Sequence, residues 1–362
     1  MTPRIAYLIN SVEGGGAALP VPAITRVLRD AGADVRIFAL LRRNGRALAA
    51  MTDAGLTVAV REGGETDHIA AFRWLDAKVG AWQPTHIWTS LTRATLLGQL
   101  LGKRLGLPVV SWQHNAWLKP ANLALLRATM SWSSLWIGDS HSVTRLSAER
   151  LGIPPDRLTT WPIFAADADA PRARAWRPGE VVRLGSLGRL HPAKGYDVLI
   201  AALARLQAQG FNPAAPFEIA VGGEGAQRDA LEAQAKAAGV DTIDFAGFVD
   251  RPRDFLAGLH FYLQPSRREG LCIAAHEAMQ AGLGVIASAV GELPYSIESG
   301  ETGALVPPGD PDALAEVLAG LLTTPERFGE IGGRARTRVL DRFGMASFRR
   351  NGQSILARMT AD

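Results

Sequence analysis

The sequence predicts an α/β protein with two domains, each built on a parallel sheet. Its 362 residues are enough for two domains that bury separate cores. An apolar strand at 4–9, a Gly-rich turn at 14–16, a helical pattern and a second strand at 34–41 form a βαβ unit, which begins a parallel sheet. The stretch 166–179 has no strand or helix periodicity, which indicates a linker, and the strand–helix alternation restarts at 181.

The elements follow in order on either side of this linker. In the N-terminal domain, 1–165, Pro20 and Pro22 open the first helix and Gly32 closes it. We predict further strands there at 56–60, 85–88 and 108–112, and helices around 68–81 and 92–105. In the C-terminal domain, 180–345, we predict strands at 181–186 and 217–221, and helices at 196–209, 227–238 and 273–280.

Composition is that of an ordinary globular protein. Hydrophobic residues make up 47% of the chain and charged residues 20%, which excludes disordered and fibrous classes. The one cysteine, Cys272, excludes a disulfide framework and fits a reducing compartment. The N-terminus runs directly into an apolar strand instead of a signal peptide, and no apolar run approaches the roughly 20 residues of a membrane-spanning helix. We therefore expect a cytoplasmic protein.

Charge is distributed unevenly between the two halves. Residues 1–165 hold 18 Lys and Arg against 11 Asp and Glu, whereas the remainder holds 21 against 24. A basic N-terminal half suits an anionic lipid or an acidic acceptor. Nucleic acid is a poor partner because no basic run is interleaved with stacking aromatic residues. The stretch 117–136 combines Trp, Leu and a few basic residues, so it is a membrane-facing surface or, as we prefer, a helix packed on its sheet.

Two carboxylates near a helix start mark the candidate site. Glu269 and Glu277 stand eight positions apart, with Gly270 directly after the first. Gly270 indicates a loop and 273–280 a helix, so both carboxylates are expected near a helix N-terminus. Unpaired backbone N–H groups there suit a phosphate, and the carboxylates suit sugar or ribose hydroxyls. The alternative is that Glu277 only favours a helix N-terminus and Glu269 is a solvated loop residue.

This motif, with Glu-Ala-Met after the spacer, resembles the signature of retaining glycosyltransferases of family 4, which have the GT-B fold. A second resemblance lies in Gly188-Arg-Leu-His-Pro-Ala-Lys-Gly195, where the family clamps the donor's pyrophosphate with Arg189 and Lys194. Charge-assisted bonds from a guanidinium and an ammonium suit two phosphates, although Arg and Lys also occur in surface loops by chance. The resemblance extends to the Gly-rich turn at 222–225, under the nucleotide, and to the Gly-Phe-Val loop at 247–249, beside the base.

The N-terminal domain carries the resemblance more loosely. Gly15 and Gly16 correspond to the Gly-Gly loop that lines the cleft in these transferases, although a plain tight turn explains them about as well. The strand at 108–112 ends in a polar cluster at 113–115, at the kind of edge where open α/β sheets bind ligands. His114 matches the family's His near the donor sugar, and the alternative is a loop His bonded to backbone.

The resemblance implies two Rossmann-like domains facing a cleft, with a last helix at about 346–362 that packs back on the N-terminal domain. It implies transfer of a sugar from a nucleoside diphosphate donor to a hydroxyl with retention, by a hexosyltransferase-type enzyme of cell-envelope glycolipid or polysaccharide synthesis. No metal or cofactor is implied, and we prefer a UDP-sugar to a GDP-sugar. A lipid-linked acceptor and peripheral contact with the inner face of the cytoplasmic membrane are further expectations. We assign catalytic roles to His114, Arg189, Lys194 and Glu269. We expect donor contacts at Gly15, Gly16, Gly188, Arg189, Lys194, Gly223, Gly247, Phe248, Val249, Glu269, Gly270, Leu271, Cys272, Ile273 and Glu277.

Some residues depart from the family's pattern. Cys272 and His276 stand where relatives usually have Gly and Leu, and His276 is either a packing variant or a pH-sensitive contact. Glu292 stands where the family usually has Gly, and we expect it to add a bulky anion near the sugar end. Gly284 replaces the usual Pro, and Tyr295 replaces the usual Glu. Two other functions stay open, namely a GT-B epimerase or hydrolase that turns over the donor alone, and a non-catalytic module that only binds nucleotide sugars.

Overall fold

The computed structural model describes residues 2–114 and 117–360. The chain divides into two compact units: the first comprises Met1–Ala165 and Ala346–Asp362, and the second comprises Ala166–Met345. Asn115, which belongs to the predicted polar cluster, and the last two residues of the predicted C-terminal helix lie outside the described residues.

The first unit is a parallel sheet flanked by helices. Its strand order is β3-β2-β1-β4-β5-β6-β7. The strands are β1 (Arg4–Ile9), β2 (Asp34–Ala39), β3 (Thr57–Val60), β4 (His86–Ser90), β5 (Val109–Gln113), β6 (Leu135–Gly138) and β7 (Leu158–Thr160). The helices are α1 (Val21–Asp30), α2 (Arg46–Asp53), α3 (His68–Trp82), α4 (Thr92–Leu105), α5 (Pro120–Thr129) and α6 (His141–Leu151), and after the second unit α14 (Met345–Thr360).

The second unit repeats this plan. Its strand order is β10-β9-β8-β11-β12-β13, again all parallel. The strands are β8 (Val182–Leu187), β9 (Phe217–Gly222), β10 (Ile243–Gly247), β11 (Phe261–Gln264), β12 (Gly284–Ser288) and β13 (Gly303–Val306). The helices are α7 (Tyr196–Ala208), α8 (Arg228–Ala237), α9 (Pro252–Ala257), α10 (Ile273–Gln280), α11 (Leu293–Ser296), α12 (Pro311–Leu322) and α13 (Phe328–Phe343).

The predicted fold of two parallel α/β domains is confirmed. In each sheet the strand order reverses once. The first strand, β1 or β8, has the next strand on one side and a later strand on the other, since β1 pairs with both β2 and β4, and β8 pairs with both β9 and β11. At such a reversal the loops after the two central strands start at the same carboxyl edge but lead to opposite faces of the sheet, which opens a crevice between them. The topology therefore specifies where each sheet can bind a ligand.

The stretch 117–136 is divided among three elements. Only Pro120–Thr129 is α-helical; a 3₁₀ turn follows at Met130–Trp132, and Leu135 begins a strand. Leu126 and Trp136 are buried and share an apolar cluster with Leu151, so the packing interpretation holds for them. Trp117 and Leu125 are 43% and 51% exposed and do not share that burial. No helix in the described part of the chain is long and apolar enough to cross a membrane.

The C-terminal helix completes the core of the first unit. The rings of Trp112 and Trp161 stack with centroids 4.9 Å apart, and Phe348 of α14 lies 5.1 Å from Trp161. The backbone of α14 comes close to Trp161 at Gly352, where any side chain would collide with the indole. A small residue at this position therefore sets the depth at which the helix packs.

We predict that Gly352→Ala destabilises the protein by about 1 to 3 kcal/mol, as overpacking typically does. Its added Cβ would lie 2.5 Å from the Trp161 ring and 2.6 Å from Val27. Thermal unfolding measures the effect. Gly80→Ala is the matched control, because its Cβ would meet nothing within 4 Å, and we expect it to stabilise α3 by roughly 0.5 to 1 kcal/mol. Equal thermal unfolding midpoints for Gly352→Ala and Gly80→Ala would contradict the close packing of α14 on Trp161.

Candidate functional site

The candidate site begins where the second sheet reverses. The loop after β8 carries residues 188–195, and the loop after β11 carries residues 265–272. Because β8 and β11 are neighbouring parallel strands, both loops leave the same edge side by side. This brings together two motifs that are about 75 residues apart in the chain.

An ion pair joins the two loops. The Nζ of Lys194 lies 2.7 Å from Oε1 of Glu269, and the two side chains are 22% and 9% exposed. The hydroxyl of Ser266 and the amide of Gln264 also donate to that oxygen, at 2.7 and 3.2 Å. Burial lowers the pKa of Lys194, but the charge and hydrogen bond of Glu269, together with Cys272 and Tyr196, outweigh burial and the net pKa is raised. The ammonium is therefore held in its charged form.

The Lys194 loop is pressed directly against the Glu269 loop. Gly195 has φ +69°, and a side chain there would overlap the carbonyl oxygen of Pro265. Glycine is required both for this left-handed conformation and for the close approach. The spacing between the ammonium and the carboxylate is therefore set by backbone contact as well as by charge.

Arg267 is a residue of the site that the sequence did not reveal. Its guanidinium donates two bonds of 2.6 Å to the carboxylate of Asp197, at the start of α7, and a bond of 3.1 Å to the carbonyl of Pro192. The backbone N–H of Arg267 donates to the carbonyl of Ala193 at 2.8 Å. The guanidinium holds the pKa of Asp197 below its ordinary value, so the pair stays ionised. The turn that carries Lys194 is thus fixed to the signature loop.

Backbone bonds bring the Gly-rich loops to the same edge. The N–H of Gly188 donates to Gly222 at 2.9 Å, and the N–H of Gly223 donates to Gly247 at 2.7 Å. Phe248, which follows Gly247, is exposed, whereas Val249 packs on the end of β9. The predicted phosphate, nucleotide and base loops therefore form one continuous rim around the reversal point.

The start of α10 closes this rim. Cys272 is its N-cap residue and provides no side-chain cap for the first-turn amides, while Leu271 is buried beside it. Glu277 lies one turn into the helix and is partly buried, and no side-chain hydrogen bond to it occurs among the residues that the structure describes. Arg189 is exposed and forms no ion pair within the described part of the chain. Amides, a carboxylate and a guanidinium are thus available to a ligand.

The predicted residues of the first unit form a separate group at its own sheet edge. His114 follows β5; its Nε2 lies 2.6 Å from the hydroxyl of Ser90 at the end of β4, and its Nδ1 lies 3.6 Å from Asp139. A His bonded only to backbone is therefore the wrong description. The carbonyl of Gly15 accepts bonds from two following amides at 3.1 Å, so the Gly-rich segment, which includes Gly16, is a turn before α1.

Glu292, the predicted bulky anion near the sugar end, has a buried and paired side chain. It is fully buried, and its Oε1 accepts a bond of 3.0 Å from Arg342. Arg342 lies on α13, which packs against α10, so the partner comes from an element that the sequence motif does not include.

Comparison with known proteins gives matches over both units. The model of Glycosyltransferase Family 4 matches residues 14–164, and that of Glycosyl transferases group 1 matches residues 182–324. D-inositol 3-phosphate glycosyltransferase 1 of Catenulispora acidiphila is 26% identical over 296 residues, which are 74% of this chain and 66% of that protein. Lipopolysaccharide core biosynthesis mannosyltransferase LpcC of Rhizobium leguminosarum bv. viciae is 34% identical over 144 residues, 39% of this chain and 41% of that protein. Such matches span about 38% to 66% of the curated relatives' own length.

Solved structures match the fold over nearly the whole chain. The crystal structure of Anabaena Alr3699/HepE in complex with UDP and glucose superposes with a TM-score of 0.84 at 19% identity, covering 98% of this chain and 100% of that one. Sucrose-phosphate synthase from Thermosynechococcus elongatus gives a TM-score of 0.80 at 19% identity, with 99% of both chains covered. At this identity the likeness establishes the GT-B fold.

We predict that Glu277→Gln stabilises the folded protein at pH 7. Burial raises the pKa of Glu277 above its ordinary 4.5, and the charge of Arg253 lowers it only in part. The folded state therefore favours the protonated carboxyl, and ionisation costs stability as the pH rises past 4.5. The unfolding midpoint of the variant should exceed that of the wild type at pH 7 and equal it at pH 4. Glu316→Gln, in an exposed turn of α12, is the control; a lower midpoint for Glu277→Gln at pH 7 would contradict the assignment.

Proposed function

This chain belongs to glycosyltransferase family 4, and from that premise we propose that it moves a sugar from a nucleoside diphosphate to a hydroxyl acceptor with retention of anomeric configuration. The observation that carries the proposal is the Lys194–Glu269 pair at the reversal of the second sheet, beside the open N-terminus of α10. A cation, free amides and two carboxylates there match a ligand that has both phosphates and hydroxyls.

Each group of the site has a task toward such a donor. Lys194, Arg189 and the first-turn amides of α10 bind the two phosphates, because charge-assisted bonds to phosphate oxygens are strong. Glu277 accepts bonds from the ribose hydroxyls, and its partly exposed carboxylate, which has no donor among the described residues, leaves its oxygens available to them. Glu269 binds the sugar hydroxyls through the oxygen that is not crowded by Lys194, Ser266 and Gln264. UDP is our preferred nucleotide, since a structural neighbour binds UDP and glucose.

The transfer requires no nucleophile from the protein. The bond from the anomeric carbon to the diphosphate oxygen breaks, and a new bond forms to the acceptor oxygen on the same face of the sugar. The leaving phosphate oxygen takes the acceptor's proton. The protein contributes by stabilising the charge that grows on the diphosphate, which is the task of Lys194 and Arg189. His114 contacts the donor sugar, and its bond to Ser90 fixes the orientation of its ring.

A binding panel followed by product analysis tests this proposal. We expect calorimetry to detect binding of a UDP-sugar in preference to GDP- and ADP-sugars, and incubation with a lipid extract to give a glycosylated product whose anomeric configuration matches the donor. Failure to bind any nucleotide sugar would refute the proposal. Turnover of the donor without an acceptor would identify an epimerase or hydrolase, and binding without turnover a binding module.

Lys194→Ala should weaken binding of the sugar nucleotide by about 1.5 to 3 kcal/mol, the usual value of a hydrogen bond to a charged group. Binding of the free nucleoside should change far less, because the nucleoside has no phosphate for the ammonium to contact. Calorimetry with UDP-glucose and with uridine measures both. Lys236→Ala, at an exposed position of α8, is the control. An equal loss for the two ligands would mean that Lys194 does not touch the phosphates.

We further propose that the first unit brings the enzyme to an anionic membrane and to an envelope acceptor on its inner face. Residues 117–136 contain no Asp or Glu. Lys119 and Arg127 are exposed in the same stretch of chain as the exposed Trp117 and Leu125. The guanidinium of Arg150 lies 4.2 Å over the Trp117 ring, which adds another cation to this surface. Exposed apolar side chains in a stretch that also carries exposed cations suit a negatively charged lipid surface. A relative's role in lipopolysaccharide core biosynthesis also favours an envelope acceptor.

Vesicle co-sedimentation tests the membrane proposal. The wild type should bind vesicles of phosphatidylglycerol and not of phosphatidylcholine. The double variant Lys119→Ala/Arg127→Ala should lose roughly 2 kcal/mol of that binding, about 1 kcal/mol per basic residue near the surface. Lys78→Ala, at an exposed position of α3, controls for net charge. Vesicle binding that is unchanged in the double variant would contradict the proposal.

A further inference from the structure

Three departures from the family pattern meet in one buried cluster of the second unit. Cys272, His276 and Glu292 were separate features of the sequence, but His276 and Glu292 are fully buried and Cys272 is nearly so. Cys272 and His276 lie on the signature loop and α10, whereas Glu292 lies on the segment 291–296 that follows β12. Their convergence indicates that they act as a unit.

His276 connects these two segments. Its Nδ1 lies 2.9 Å from the carbonyl oxygen of Cys272, and its Nε2 lies 2.8 Å from the hydroxyl of Ser296. A carbonyl can only accept, so Nδ1 carries the hydrogen, and the Ser296 hydroxyl donates to Nε2 when the ring is neutral. Burial lowers the pKa of His276 to about 4, which keeps the ring neutral at physiological pH. The ring of Phe343 packs edge-on at 4.7 Å and fixes its plane.

The carbonyl that His276 holds belongs to a strained residue. Cys272 has φ +64° and ψ +68°, a left-handed conformation that side chains other than Gly and Asn seldom adopt. It is also the N-cap of α10, so its conformation determines where the first-turn amides point. The bond from His276 stabilises this conformation in a residue that has a side chain.

A second set of contacts fixes the segment 291–296. The N–H of Glu292 donates to the carbonyl of Gly270 at 2.9 Å, and Gly291, with φ +60°, lies so close that a side chain would overlap that carbonyl oxygen. The buried Glu292 carboxylate is paired with Arg342, whose guanidinium lies over the Phe343 ring. Because an unpaired buried charge is costly, this pair fixes the segment against α13.

We infer that His276, with Ser296 and the Glu292–Arg342 pair, is a positioning network that determines which donor sugar the site accepts. The inference rests on the proposed function. The network sets the position of the segment 291–296 against Glu269 and Gly270, the residues proposed to face the sugar. The loops proposed to bind the nucleotide follow β9 and β10 and make none of these contacts. The start of α10, proposed to bind the diphosphate, shares the bond from His276 to Cys272. Loosening the network at Ser296, which leaves that bond in place, should therefore change recognition of the sugar and leave recognition of the nucleotide intact.

The test compares UDP, UDP-glucose and UDP-N-acetylglucosamine as calorimetric ligands of the full chain. Ser296→Ala removes one bond with little change in volume, and His276→Leu removes both. We expect Ser296→Ala to change the affinity ratio between the two sugar nucleotides by roughly fivefold, the factor that one hydrogen bond is worth, with UDP affinity within twofold of the wild type. His276→Leu should change the ratio at least as much and should also weaken UDP, because it releases the N-cap of the helix whose amides are proposed to bind the diphosphate. His276→Gln, whose side-chain oxygen can still accept from the Ser296 hydroxyl, should bring the ratio part of the way back to the wild-type value.

Two results would overturn the inference. One is an equal loss for UDP and for both sugar nucleotides, as a purely structural role would give. The other is an unchanged ratio in a folded Ser296→Ala protein, with folding checked by circular dichroism. Ser296→Ala keeps the test decisive if His276→Leu does not fold. If the wild type binds none of the three ligands, the proposed function itself has failed, which is a different result from an unchanged ratio.

Discussion

The ion pair between Lys194 and Glu269 is the interaction on which the rest of the site depends. A cation and a carboxylate that are 22% and 9% exposed are costly to desolvate separately, and pairing at 2.7 Å offsets that cost. The pair can form only because β8 and β11 are neighbours at a reversal of strand order. Arg267 and the contact at Gly195 then hold the two loops in register. The site is thus assembled before any donor arrives, which reduces the ordering that binding must supply.

Much of this could be predicted from local pattern. The βαβ order indicated the parallel sheets, and the helix that was expected to open at 273 does begin there, as α10. What escaped prediction depends on contacts between distant residues. The Arg267–Asp197 bridge spans 70 positions and the Glu292–Arg342 pair spans 50, and neither leaves a periodic or spacing signal. The burial of Glu292 could not be predicted for the same reason, because its partner Arg342 lies on a helix outside the motif.

The stretch 117–136 shows a second limit of prediction from the sequence. Its combination of Trp, Leu and a few basic residues favoured one packed helix over a membrane-facing surface, yet the chain forms a helix, a 3₁₀ turn and a strand there. Composition could not separate the buried Leu126 and Trp136 from the exposed Trp117 and Leu125, because burial depends on which side of the element faces the sheet. His114 was placed correctly at a strand end, but its partner Ser90 belongs to the neighbouring strand and required the sheet order.

The return of the chain to the first unit has a consequence for biosynthesis. The second unit is a continuous segment whose ends meet, with the N–H of Ala166 donating to the carbonyl of Phe343 at 2.7 Å. It can therefore fold as soon as it has left the ribosome. The first unit begins earlier but remains incomplete, because the helix that covers Trp161 is synthesised only after the whole second unit. Its aromatic core stays open while the second unit is made, so chaperones would have most reason to bind the half that emerges first.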